Sequence, residues 1–131
     1  MNPPDGIFGM PIFHKTYGFI VALSTWHRQC PKTHRHSIAQ YCYVLALDFF
    51  KLLIRANAES GYKKLSYLRE ASLLLDQLKI FLRIAKDVGA LSAKQYVQFQ
   101  QMLQDIGKQL GGWIKSLQTK EPAQSGSFRE T

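Results

Sequence analysis

The sequence predicts an all-α fold, an up-down-up-down antiparallel four-helix bundle. Three observations carry that reading. Apolar residues recur at alternating steps of three and four in four separate segments, the period of an amphipathic helix. The connections between those segments are short, which makes consecutive helices antiparallel neighbours. No stretch combines strand alternation with hairpin turn chemistry, and no internal repeat is present. A chain of 131 residues fits one domain, and its hydrophobic fraction of 46% suits a buried core.

Residues 1–10 contain Pro3, Pro4, Gly6 and Gly9 and read as a flexible arm. The bundle is expected over 11–117. Pro11 suits the first turn of a helix whose stripe is Ile12, Thr16, Phe19, Leu23, Trp26 and Cys30. Pro31 ends it. A second helix starts near Thr33 or Ser37 and runs to Ala58, with Ile38, Cys42, Leu45, Phe49, Leu52 and Ala56 on one stripe. Tyr43, Leu47, Phe50 and Ile54 widen that stripe until most of the circumference is apolar. Such a helix is central in a bundle or lines a subunit contact. Ser60-Gly61 closes it, with the glycine taking a left-handed conformation.

The third helix, Leu65 to Val88, organises the rest. Leu68, Ala71, Leu75, Leu78, Leu82 and Ala85 form its stripe, and Leu74, Phe81 and Val88 form a second row beside it. Two rows exceed what one neighbouring helix covers. Gly89 is the expected stop. Ser92-x-x-Gln95 is a capping box worth about 1 kcal/mol, and Leu91 is placed to pack on Tyr96 as a staple. The fourth helix carries Tyr96, Phe99, Leu103, Ile106, Leu110, Trp113 and Leu117 on one stripe. Gly107 and Gly111 share another face, where each costs about 1 kcal/mol relative to alanine. Either a second helix approaches closely there, or Gly111-Gly112 mark fraying. Residues 118–131 read as a disordered tail.

The net charge of +8 favours a polyanionic partner. No acid lies between Asp5 and Asp48, an interval that holds Lys15, Arg28, Lys32, Arg35 and all four histidines. Neutralising phosphates needs several cations on one surface. Two sets qualify: Arg28, Lys32, His34, Arg35 and His36 around the first connection, and Lys79, Arg83 and Lys86 along the third helix. An up-down topology puts both sets at one end of the bundle, where they are expected to merge into a single patch.

Other chemistries have little support. The acids are scattered and most lie near a base on the same helix, such as Asp48 with Lys51 and Asp76 with Lys79. Walker-type loops, nucleophile elbows and Glu-x-x-His pairs are missing, so neither an enzyme nor a cofactor is expected. His27, Cys30, His34 and His36 have donor atoms suited to zinc, but their spacing matches no structural zinc motif, and a solvated basic loop is preferred. Cys30 and Cys42 are not expected to pair, which fits a reducing cytoplasm. The N-terminus lacks a basic region ahead of an apolar run, so no signal peptide is expected. Asp48 and Lys51 interrupt the apolar run Tyr41 to Ile54, which makes it a poor membrane span.

From Tyr62 to Ser116 the chain resembles the accessory variability determinant (Avd) family of diversity-generating retroelements. Leu68-Arg69-Glu70-Ala71 and Leu110-Gly111-Gly112-Trp113 carry the resemblance. Pro31-Lys32-x-x-Arg35 resembles a turn shared with four-helix proteins encoded in 23S ribosomal RNA intervening sequences. The likeness extends over about Lys15 to Leu117. It implies a homopentameric barrel of four-helix bundles with a basic, nucleic-acid-binding surface. It also implies a complex with the element's reverse transcriptase, which copies template RNA into error-bearing cDNA, and no catalytic role for this subunit. Carried onto this chain, Lys32 and Arg35 occupy the turn motif, and Arg83 lies in the matched third helix. The apolar excess on the second and third helices fits a subunit interface. The alternatives are an intervening-sequence-type protein and an oligomeric scaffold with no direct nucleic-acid role.

Overall fold

The computed structural model describes residues 9–120; residues 1–8 of the predicted arm and 121–131 of the predicted tail lie outside the described residues. Its elements are α1 (Pro11–Gln29), a single-turn α2 (Lys32–Arg35), α3 (Ile38–Ala58), α4 (Gly61–Asp87) and α5 (Ala93–Lys120). The protein is all-α, with four long helices and no strand among the described residues. α1 packs on α3, α3 on α4, α4 on α5, and α5 closes the ring against α1, while no diagonal pair approaches directly. The α3–α4 interface is the most extensive.

Local chemistry sets the helix ends. Pro11 opens α1. Pro31 caps α2, and the backbone breaks again at Ser37, so the basic connection is a discrete helical turn. α4 ends in a Schellman motif. Gly89 lies at φ 84, its N–H donates to Lys86 O at 3.1 Å, and Ala90 N–H donates to Ala85 O at 2.8 Å. The capping box forms, with Gln95 N–H donating to Ser92 Oγ at 3.1 Å and Ser92 N–H to Gln95 Oε1 at 3.4 Å. Gly61 is left-handed as expected, at φ 61, but it is the first residue of α4 rather than the last of α3.

All six predicted stripe residues of α4 are buried, as are those of α1. On α3 the buried face is rotated. Ala39, Ala46 and Leu53 are buried, whereas Ile38 and Leu45 are only half-buried. α1 causes the rotation by covering that flank, as the ring contacts Phe13–Phe50 (6.3 Å) and His27–Tyr43 (5.3 Å) show. By length and composition, residues 32–58 could cross a membrane; in the bundle seven α3 residues from Ala39 to Ala56 are core. Rings fasten the core at two levels. Phe13 meets Trp113 edge-on at 6.0 Å, and Phe99 meets both Phe19 (5.6 Å) and Trp26 (6.1 Å). Such pairs add about 0.5–1.5 kcal/mol each beyond area burial. Thr16 is the buried polar residue, and its hydroxyl has no hydrogen-bond partner among the described residues.

Both cysteines are free and buried. Burial, then the neighbouring Cys30, pushes the Cys42 thiol from 9.0 up to about 12. The folded protein therefore keeps this proton to a higher pH than the unfolded chain does. The stability contributed by the neutral thiol is complete below pH 9.0 and is lost as pH rises toward 12. Denaturant titrations of wild type and Cys42→Ala test this. Across that window the advantage of wild type is expected to shrink by about 1.4 kcal/mol per pH unit. A constant difference contradicts it.

Candidate nucleic-acid interface

The pole where α1 ends and α5 begins is built by three donors and two carbonyls. The Trp26 indole N–H donates to Ala90 O at 3.0 Å, and the Cys30 thiol faces the same oxygen at 3.8 Å. Arg35 donates from Nε (3.3 Å) and Nη2 (3.0 Å) to the Cys30 carbonyl. The carbonyl presented just after the Gly89 turn thus holds the end of α1, and Arg35 folds the α2 turn back onto it. Arg35 is half-buried and spends two of its five N–H donors on this contact. It is a structural residue with donors to spare. Burial raises the Cys30 thiol, and Arg35's charge partly offsets that effect.

The remaining residues of the first set are more open. Arg28, Lys32 and His36 are exposed and His34 is half-buried. Arg28 Nη1 donates to Ser24 Oγ at 3.4 Å. His27 Nε2 lies 2.8 Å from Gln40 Oε1, and its ring stacks on Tyr43. Among the described residues, no three His, Cys, Asp or Glu side chains gather as metal ligands.

The second set is arranged differently from expectation. Lys79, Arg83 and Lys86 face α5. Lys79 Nζ would lie 3.9 Å from a Cβ built on Gly107, and Lys86 Nζ sits 5.3 Å from the centroid of the Tyr96 ring. Arg83 Nε donates to both carboxylate oxygens of Asp87 at 3.3 Å, and Lys86 Nζ lies 3.8 Å from the same group. The Asp87 charge, then its hydrogen bond, then Tyr96, hold the Arg83 guanidinium still more firmly protonated.

The two sets share a pole but do not form the single predicted patch. α2 packs only on α1 and α3, whereas the α4 stripe looks toward α5. The handedness of the bundle decides which flank of α4 meets α5, and helical spacing alone does not encode it. Arg28, Lys32, His34, Arg35 and His36 therefore stand on the α1/α3 flank, and Lys79, Arg83 and Lys86 on the α4/α5 flank.

These roles separate experimentally. Arg35→Ala strips the Cys30 carbonyl of both donors, and a partly buried charged hydrogen bond is worth about 1–2 kcal/mol after solvent screening. Its melting temperature is expected to fall, while Lys32→Ala and His36→Ala melt as wild type does. Equal melting of all three would show that Arg35 does not hold the turn.

No curated protein matches the chain. A family model described as bAvd-like matches residues 10–117, from the residue before α1 to three residues short of the end of α5. That match takes in every long helix, the α2 turn and both basic sets, and the chain belongs to the bAvd-like family.

Proposed function

We propose that this protein is a non-catalytic, nucleic-acid-binding accessory subunit of a diversity-generating retroelement. In this role it works beside the element's reverse transcriptase on template RNA and cDNA. The family match over residues 10–117 carries the reading. The charge of +8 and the two basic flanks are compatible with it, because phosphate contact is the main sequence-independent source of affinity for polynucleotides. Binding of structured RNA, followed by fluorescence anisotropy, should weaken about 10³-fold between 50 and 200 mM salt if six or more phosphates are neutralised. Absent or salt-independent binding overturns the reading.

The subunit acts as a homo-oligomer, a pentamer by the family resemblance. Support comes from apolar side chains that the bundle leaves uncovered. On α4, Leu73 (63% exposed), Ile80 (59%) and Ile84 look away from the core, Val88 is exposed at its C-cap, and Tyr41 and Val44 are exposed on α3. Light scattering is expected to give a multimer for wild type and a monomer for Ile80→Glu with Ile84→Glu. A monomeric wild type contradicts the assembly. The same apolar face favours the second reading, a protein-interaction scaffold. Under that reading the oligomer forms and reverse transcriptase co-purifies, but RNA is not bound.

A further inference from the structure

The groove between α4 and α5 is lined by Ser72, Asp76, Lys79, Gln104, Lys108 and the glycines Gly107 and Gly111. It opens onto the outer face of α5. There Lys94, Gln101, Lys108 and Lys115 recur at steps of seven, so all four point the same way, and all are exposed. None of the three lysines has an ion-pair or hydrogen-bond partner among the described residues. Lys51 and Lys63, by contrast, are paired with Asp48 and Glu59. With Lys79, Arg83 and Lys86 across the groove, the α4/α5 side presents six cations. Asp76 and Asp87 are the opposing carboxylates on α4, and Asp105, four residues after Gln101 and three before Lys108, borders the row on its α1 side, in the groove with His14 and Lys15.

The dimensions suit a polynucleotide backbone. Lys94 and Lys115 are about 32 Å apart along the helix, close to nine phosphate spacings of one duplex strand. The glycines fit as well. A Cβ on Gly107 would meet Leu75 Cδ2 at 3.5 Å, an ordinary contact, whereas Gly111 and Gly112 have nothing within 4 Å. The bundle itself therefore does not need glycine at 111 or 112. Their missing side chains leave a low floor between Lys108 and Lys115.

We infer that the α4/α5 side is the main track for a phosphodiester backbone, with Lys94, Lys108 and Lys115 of α5 joining Lys79, Arg83 and Lys86 as phosphate ligands. The inference rests on the nucleic-acid reading above and assigns its surface. The backbone runs along the bundle axis, each lysine taking a phosphate, and Gly111-Gly112 let it approach the helix. Contacts of this kind carry no base readout, so binding is sequence-tolerant.

The test uses the full chain and a fluorescein-labelled RNA hairpin titrated across salt concentrations. Lys94→Gln with Lys108→Gln and Lys115→Gln removes three charges from an exposed helix face. At 0.1 M salt the affinity is expected to fall at least about tenfold, and the slope of log K against log salt to flatten by about 2–3. Gly111→Ala with Gly112→Ala adds two methyls in open space. That variant is expected to melt higher, from helix propensity, yet bind RNA about threefold more weakly. If wild type binds with steep salt dependence and both variants match it, the α4/α5 track is wrong while the nucleic-acid reading stands. If wild type itself does not bind, that reading fails and takes the track with it.

Discussion

Trp26 is where the bundle closes. Its ring lies edge-on to Phe99 of α5, its indole N–H reaches the Ala90 carbonyl beyond α4, and only 3% of it is exposed. One side chain therefore joins α1, α5 and the α4–α5 connection at one pole. The Gly89 turn must present that carbonyl, which is why the Schellman geometry at the end of α4 matters beyond local capping. The Cys30 thiol faces the same oxygen, and the Cys30 carbonyl in turn receives Arg35. A single chain of contacts thus runs from the α4–α5 connection through α1 to the basic turn. The α2 cations owe their position to it.

Around that closure, the four long helices divide their surfaces. Each spends one stripe on the core. The remaining face of α4 is apolar along Leu73, Ile80 and Ile84, and its flank toward α5 is basic. The apolar face suits a protein neighbour and the basic flank suits a phosphate backbone, and the two lie on adjacent sides of one helix. An accessory subunit that must both assemble and hold a polynucleotide needs that separation, because a charge inside a subunit contact would have to be desolvated.

Much of this architecture was legible in the sequence. The alternating three-four steps identify six of the seven buried residues of α4, all but Leu65, and Ser92-Gln95 and Gly89 mark the turn between α4 and α5. The α3 core was harder to read. Alanine is a weak apolar signal, so the expected stripe holds the larger Ile38 and Leu45 where Ala39 and Ala46 are buried, while its Cys42, Phe49, Leu52 and Ala56 are core as expected. The turn and stripe cations were found, but their neighbours were not, since spacing along one helix does not say which side another helix takes. Arg35 read only as a cation, because a bond to a carbonyl five residues earlier has no sequence signature. Lys94, Lys108 and Lys115 did leave a signal in their shared heptad position, which gains meaning once α5 is seen beside the α4 stripe.

The central claim is that an exposed cationic side of the bundle holds the polynucleotide. Lysine acetylation of the full chain with and without bound RNA, read by peptide mass spectrometry, tests it most directly. Protection is expected at Lys79, Lys94, Lys108 and Lys115, with Lys51 and Lys63 modified equally in both samples. Uniform reactivity at every lysine, or protection confined to Lys51 and Lys63, would contradict the account.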